Sequence, residues 1–335
     1  MVLTAACLTL GACSPGGGRP APAGPGRTGP NPTTLSPTAP SPTAPGRAGP
    51  GPAVPPRGDV YLGVSTDIGR LDAFDRAAGL PAGRNPAVYD QWTTPDGSVQ
   101  PILDNARTRP GMAPMISWNL PLTGDRVSDG SQDTYIRAQA DAIRSHGGPV
   151  FVRLDWEMNA SWYTGWNMPA VTPAQFIAAW RHVYTVFQQQ GASNAAFVWC
   201  PTLWNGPGGR GASDWYPGDA YVDWLGIDAY PQSAVDSFVL NGPGGLDDSA
   251  AFAARHDKPL MIAEWAPALP LPDTAAAMDL IFQFAAAHPD TVKALVYFDF
   301  VTGGKDYTLA DHPVGARDFR ERVDGNPHFL LASGV

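Results

Sequence analysis

The chain is 335 residues long and carries 22 Lys and Arg against 31 Asp and Glu, a net charge of −9. With no basic surplus to neutralise phosphates, the sequence argues against a nucleic-acid partner. The 44% of apolar residues suffices for a large core, and 11 tryptophans supply flat rings of the kind that stack on sugars.

The first segment, Val2 to Ala12, is apolar and small, too short to span a bilayer, and reads as the core of a secretory signal. Leu10-Gly11-Ala12-Cys13 resembles a bacterial lipobox, although no Lys or Arg precedes Cys13. Residues 1–13 are therefore expected to be a signal with Cys13 as the lipidated residue. That implies an extracytoplasmic protein, anchored to a membrane through Cys13 or secreted. Residues 14–57 are dominated by Pro, Gly, Thr, Ala and Ser, with repeats such as Ser36-Pro37-Thr38-Ala39-Pro40, and predict a disordered spacer. A folded domain is expected over 58–335. Of the three cysteines only Cys200 lies in it, so no disulfide can staple that domain. Following the apolar Phe197-Val198-Trp199, Cys200 reads as a buried thiol rather than a nucleophile.

Strand-like and helix-like segments then alternate. Val60–Val64 is a first strand, followed by a helix around 71–79. Pro86–Trp92 is a short second strand before a helix around 99–107, and Ala113–Trp118 is a third. Asp133–His146 keeps Ile136, Ala140 and Ile143 on one face and is stopped by Gly147-Gly148. Pro149–Asp155 is the fourth strand. Thr172-Pro173 opens a helix that runs to Gln190. Ala195–Cys200 and Val222–Asp228 are strands five and six, with a short helix over 250–256. Pro259–Ala263 is strand seven, and Thr274–His288 a helix with Met278, Ile281, Phe282 and Ala285 on one face. Val292–Phe298 is strand eight and 314–323 the last helix. Eight such pairs in about 275 residues predict an α/β fold, a (β/α)8 TIM barrel, typically of ~250 residues. A doubly wound sheet would want a glycine-rich phosphate turn after strand one, which 63–69 does not supply. Gly206–Gly211 lacks the Lys and Ser or Thr of a P-loop and reads as a surface loop.

Polar and aromatic residues gather where the strands end, the face on which barrel active sites sit. They are Trp118 and Asn119, Glu157 and Asn159, Trp199, Thr202 and Trp204, Asp228 and Tyr230, Glu264 and Trp265, and Asp299. Glu157 and Glu264, after strands four and seven, would face each other across a barrel mouth, the arrangement of two-carboxylate glycoside hydrolysis. The six histidines make no ligand pair at useful spacing, so no metal and no cofactor is expected.

The motifs also carry a family resemblance. Arg153-Leu154-Asp155-Trp156-Glu157-Met158-Asn159 resembles the Arg-x-x-His-Glu-Met-Asn signature of glycoside hydrolase family 26. Residues 215–230, Trp-Tyr-Pro-Gly-Asp-Ala-Tyr-Val-Asp-Trp-Leu-Gly-Ile-Asp-Ala-Tyr, are similar to that family's Tyr-Pro-Gly-Asp segment. Pro259 to Trp265 resembles its nucleophile strand, and Asn326-Pro327-His328-Phe329 its terminal segment. The resemblance implies a retaining glycosidase with Glu157 as acid/base and Glu264 as nucleophile. Tyr230 would hydrogen-bond Glu264, Arg153 would orient carboxylates, and Asn159 would tie down the acid loop. Trp118, Trp156, Trp162, Trp166, Trp199, Trp265 and Asp299 are the expected substrate contacts.

A retaining mechanism implies a carboxyl separation of ~5–5.5 Å, with Glu157 kept protonated by an apolar wall. The partner is a polysaccharide or oligosaccharide, and a monomer is expected. Endo-cleavage of β-1,4-mannan leads by family frequency, but Trp156 stands where mannan-cleaving members carry His. β-1,3/1,4-Glucan and β-xylan stay open as substrates, as does a non-catalytic glycan-binding barrel.

Overall fold

The computed structural model describes residues 54–93, 97–120, 126–163, 170–203, 211–233 and 235–332. The expected signal, Cys13, most of the spacer, Trp166, Trp204 and the loop 206–210 lie outside them.

Eight parallel strands form a ring: β1 (Val60–Ser65), β2 (Val88–Trp92), β3 (Ala113–Trp118), β4 (Val150–Leu154), β5 (Ala195–Trp199), β6 (Trp224–Ala229), β7 (Leu260–Trp265) and β8 (Val292–Phe298). Each pairs with the next, and β8 returns to β1 from Tyr61↔Ala294 to Ser65↔Phe298, which closes the barrel. Closure leaves none of these eight strands as a free edge. The strands are buried along their whole length except at the end of β2, as expected of strands covered on one side by the barrel interior and on the other by helices.

The helices are α1 (Leu71–Ala78), α2 (Gln100–Arg107), α3 (Asp133–His146), α4 (Pro173–Gln189), α5 (Ser237–Asn241), α6 (Leu246–Arg255), α7 (Thr274–Ala287) and α8 (Pro313–Val323). The N-terminus of α4 is a reciprocal capping box. Thr172 Oγ1 accepts from the Gln175 amide at 3.3 Å, and Gln175 Oε1 accepts from the Thr172 amide at 3.0 Å. α3 stops where Gly147 turns to φ 82°, a backbone open to glycine.

Four features depart from the expected chain. Strand seven continues through Glu264 to Trp265, two helices fill the β6–β7 connection, and a hairpin of β9 (Val301–Thr302) and β10 (Lys305–Asp306) follows β8. A last strand, β11 (Phe329–Leu330), adds alongside β1.

Alternation decides which strand residues enter the ring. Arg153 of β4 contacts Asp90 of β2, Ser117 of β3, Asp228 of β6 and Glu264 of β7, which is possible only from inside. Their chain neighbours point outward: Trp118 packs on Tyr135 of α3 and Phe187 of α4, and Trp265 on Phe282 of α7 and Phe319 of α8. One residue is squeezed out of β7 on the way. Ile227 pairs with Ile262 but Asp228 with Glu264, so Ala263 is a bulge directly before the glutamate. Inside β6, Gly226 leaves room for its neighbour, since a Cβ there would lie 2.8 Å from that of Cys200.

Candidate active site

At the C-terminal end of the ring the interior turns from apolar to polar. Its hub is Arg153, fully buried. Nε donates to Ser117 Oγ at 2.8 Å, and Nη1 donates to both oxygens of Asp228 at 3.0 and 3.2 Å. Nη2 reaches Asp90 Oδ2 at 3.4 Å and donates to Glu264 Oε1. Asp90 is held in turn by the hydroxyls of Ser65, at 2.7 Å, and Ser117, at 2.6 Å. A buried guanidinium is tolerable only with such a set of partners. Burial alone would lower its pKa; Glu264, Asp228 and Asp90 outweigh that and hold it well above its usual value. Conversely, burial pushes Asp90 up to about 6 and Asp228 well above the usual carboxylate range. Glu264 contributes to both rises, and Arg153 opposes them. The Cys200 thiol lies 3.3 Å from Asp228 Oδ1, and burial, then Asp228, holds that thiol protonated.

Glu264 thus stands at the end of β7 with one oxygen on Arg153 and the other accepting from the Tyr230 hydroxyl. The Tyr230 phenol is itself pushed well up, by burial and then by Glu264, so it remains a donor.

Glu157 arrives by a different route. β4 ends at Leu154, and the chain turns sharply, with Asp155 at φ 44° and Glu157 at φ 53°. Left-handed backbone costs a non-glycine residue on the order of 1–3 kcal/mol and persists only where its surroundings fix it. Three ties do so. Asp155 Oδ1 accepts from the Leu120 amide at 2.7 Å, and the Glu157 amide donates to the Cys200 carbonyl at 2.8 Å. Asn159 exchanges two hydrogen bonds with the backbone of Thr202, at 2.8 and 2.9 Å. The loop bearing Glu157 is thereby fastened to the ends of β3 and β5.

Glu157 Oε2 accepts from Trp162 Nε1 at 2.7 Å. Burial, and then the nearby Glu264, push its pKa to about 7, with Trp162 pulling the other way. Its Coulombic coupling to both Glu264 and Arg153 puts the two glutamates in one electrostatic site.

The other expected site residues divide sharply. Trp156, 5% exposed, lies 5.1 Å from the Arg153 guanidinium and donates to the Tyr163 hydroxyl at 3.1 Å, so it walls the site. Trp162, 48% exposed, stands at the mouth. Trp118, Trp199 and Trp265 are buried and face the helices, so the direct sugar contact expected of them is corrected. The reason is the two-residue period: Trp118 follows the inward Ser117, and Trp265 follows the inward Glu264. Asp299 is corrected too. It is fully buried, with its carboxylate occupied by the Thr66 hydroxyl at 3.0 Å and the Leu309 amide at 2.6 Å, which ties β1 to the loop after β8. Trp166 lies outside the described residues.

Sequence reasoning missed Asp90, Ser117 and Trp92. The signal available for Asp90 and Ser117 was a polar residue within two places of a strand end on the inward parity that Arg153 and Glu264 share; Trp92 ends β2 on that same parity. Among the described residues no group of three or more His, Cys, Asp or Glu is arranged to hold a metal. A cavity of about 350 Å³ bordered by Trp199, Leu225 and Phe252 lies outside the ring and is not lined by either glutamate.

Comparison with known proteins agrees with this geometry. The profile described as "Glycosyl hydrolase family 26" matches residues 131–242. Endoglucanase H of Acetivibrio thermocellus is 31% identical over 192 residues, covering 54% of this chain and 21% of the relative. Beta-1,3-xylanase TXYA of a Vibrio species is 27% identical over 218 residues, covering 63% and 40%. The chain therefore spans only a fifth to two fifths of these curated relatives. The solved GH26 β-mannanase of Bacteroides ovatus superimposes with a TM-score of 0.61 at 17% identity, over 83% of this chain and 91% of that one, a likeness of fold. The chain is thus a (β/α)8 barrel that resembles glycosyl hydrolase family 26 through the segment carrying Arg153, Glu157, Asn159 and Tyr230.

Proposed function

We propose that this protein is a retaining glycoside hydrolase that cleaves a β-linked polysaccharide, with Glu157 as acid/base and Glu264 as nucleophile. The observation that carries the reading is the contrast between the two carboxyls. Glu157 is held near pKa 7 against an indole N–H, while Glu264 accepts from a guanidinium and a phenol. A protonated Glu157 gives its proton to the glycosidic oxygen as the bond to the anomeric carbon breaks. Glu264 forms the bond to that carbon, and its negative charge is consumed. Glu264 is the second-largest cause holding the Glu157 proton on, so the covalent intermediate frees Glu157 to act as base towards water. Water then displaces Glu264, and the configuration at the anomeric carbon is retained.

The finer reading is endo-cleavage of β-1,4-mannan, supported by the β-mannanase fold. A specific observation favours β-glucan or β-xylan instead. Trp156 walls the site where mannan-cleaving relatives are expected to carry His, and the sequence relatives include an endoglucanase and β-1,3-xylanases beside a mannan endo-1,4-β-mannosidase. Hydrolysis of mannan, mixed-linkage glucan, β-1,3-xylan and β-1,4-xylan, with anomeric configuration followed by proton NMR, separates them. First-formed products of inverted configuration would overturn the retaining assignment. Equal reducing-sugar release by wild type, Glu157→Ala and Glu264→Ala would remove the catalytic one.

We further propose an extracytoplasmic location, with the lipobox-like run ending at Cys13 as a membrane anchor. Incorporation of labelled palmitate into wild type but not Cys13→Ala is the expected result.

A further inference from the structure

Trp156 stands directly before Glu157, and its indole is fixed by groups from two other places in the ring. The Arg153 guanidinium lies 5.1 Å from its ring centre, and Trp92, at the end of β2, stacks on it at 6.5 Å and 12° from parallel. Held in this way, Trp156 Nε1 donates to the Tyr163 hydroxyl at 3.1 Å. Tyr163 packs edge-on against Trp156 at 5.6 Å and against Trp162 at 6.4 Å. Its hydroxyl also hydrogen-bonds the Glu157 carboxyl.

The chemistry of the three groups sets the direction of this chain. An indole N–H donates and never accepts, so the phenol oxygen is the acceptor of the first bond. A phenol has a single proton to give, and an ionised carboxyl can only accept, so that proton goes to Glu157. Burial, and then Glu157, hold the Tyr163 pKa well above its usual value, which keeps the phenol protonated and available as a donor. Donors in series polarise one another, so the bond from Trp156 strengthens the one from Tyr163. Glu157 thus meets two donors from one stretch of chain: Trp162 Nε1, at 2.7 Å from Oε2, and the Tyr163 hydroxyl. The other titratable groups in electrostatic reach of Glu157 are Arg153 of β4, Asp228 of β6, Tyr230 after β6 and Glu264 of β7.

We propose that Tyr163 is a positioning residue for Glu157, and that Trp156 acts on Glu157 through it, the indole aiming the phenol proton at the carboxyl. The catalytic meaning of this chain rests on the glycosidase reading above. When Glu157 passes its proton to the glycosidic oxygen, negative charge appears on a carboxyl at which two donors already point. Their bonds become charge-assisted at that moment, and so favour the transition state over the ground state. The same bonds hold the carboxylate until it takes the proton of the attacking water.

Glu157 can be read directly. The chain has three glutamates, Glu157, Glu264 and Glu321, so the full-length protein labelled with carbon-13 at the glutamate side-chain carboxyl gives three NMR signals, and Glu157→Gln identifies one of them. In wild type that signal should titrate near pH 7. Tyr163→Phe removes the hydroxyl, keeps the ring and leaves the four neighbouring groups in place. Its Glu157 midpoint should rise by about half to one pH unit, the worth of one hydrogen bond. A midpoint that stays or falls overturns the proposal. Trp156→Phe, made in wild type and in Tyr163→Phe, tests the relay. The upward shift it causes should be larger where the hydroxyl is present, and equal shifts in the two backgrounds overturn the part given to Trp156. If Trp156→Phe loses its thermal midpoint, Tyr163→Phe decides alone. None of these titrations needs turnover, so a wild type that cleaves no polysaccharide removes the glycosidase reading separately. On the polysaccharide that wild type hydrolyses best, kcat of Tyr163→Phe should fall about three- to tenfold with little change in KM. On the 2,4-dinitrophenyl glycoside of its backbone sugar, whose leaving group needs no proton, kcat/KM should stay within about twofold of wild type. Equal losses on both, or a change in KM alone, would make Tyr163 a substrate contact and overturn its positioning role.

Discussion

Trp162 donates its indole N–H to Glu157 Oε2 at 2.7 Å, five residues along the same loop. This bond favours the ionised carboxyl and so opposes the burial that raises its pKa to about 7. Replacing Trp162 by Phe removes the donor and keeps a ring. The pKa of Glu157 then rises further, and the protonated acid survives to higher pH. The alkaline limb of the kcat/KM profile, expected near pH 7 in wild type, should move upward in Trp162→Phe, and a limb that stays or moves down would assign that ionisation to another group.

The two glutamates should separate in their rescue chemistry. Glu157→Ala is expected to lose roughly 10²–10⁴-fold in kcat on the polymer, the usual worth of a positioned acid. The loss should be smaller on a dinitrophenyl glycoside, whose leaving group needs no proton. Glu264→Ala should lose activity on both. Added azide should restore turnover to each, giving a glycosyl azide of retained configuration from Glu157→Ala and of inverted configuration from Glu264→Ala. The opposite pairing would exchange the two roles.

Arg153 is the residue whose loss should be felt in fold and function together. Arg153→Met strands Asp90, Asp228 and Glu264 in the barrel interior without their shared cation, and breaking a buried pair costs ~3–5 kcal/mol. The sign with pH follows from the carboxyls. Burial raises Asp90 and Asp228, and Arg153 opposes it, so its removal raises them further. Carboxyls whose folded pKa exceeds the unfolded one are most stable protonated and lose stability as pH climbs from the unfolded value through the folded one. Urea midpoints at pH 5 and pH 8 should therefore show a larger deficit at pH 8.

Much of this architecture was legible in the chain. β3, β8 and α3 fall on their expected residues, because each is a buried apolar run or a one-faced helix with clear stops. Arg153 and Tyr230 both bond Glu264, and Asn159 bonds the backbone of Thr202, which are the contacts the resemblance implied for these three. What was lost is the side of the strand on which each residue falls. Grouping polar and aromatic residues by strand end placed Trp118 beside Ser117 and Trp265 beside Glu264 as though they shared a cleft, whereas a strand sends neighbours to opposite faces. β2 hid Asp90 and Trp92 for a related reason: Val88-Tyr89-Asp90-Gln91-Trp92 is short and half polar, and its meaning depends on Arg153, more than sixty residues away.

Asn159 makes its contribution through the backbone. It exchanges two hydrogen bonds with Thr202, holding the loop of Glu157 to the end of β5. Asn159→Ala leaves both backbone groups of a buried residue unpaired, at about 1–3 kcal/mol each. The expected outcome is a lower thermal midpoint and a fall in kcat with little change in KM. A rise in KM alone would make Asn159 a substrate contact instead.

β7 faces two ways at its tip. Glu264 looks into the ring, while Trp265, the next residue, is wedged among Phe282, Tyr297 and Phe319. The aim of Glu264 is thus set from behind, by rings packed on the helix side of the strand. A cavity opened at Phe319, on the solvent side of the barrel wall, would let the strand swivel about its own axis. Surveys of this fold that look for inactivating changes only around the cleft would pass over the hinge on which the cleft is mounted.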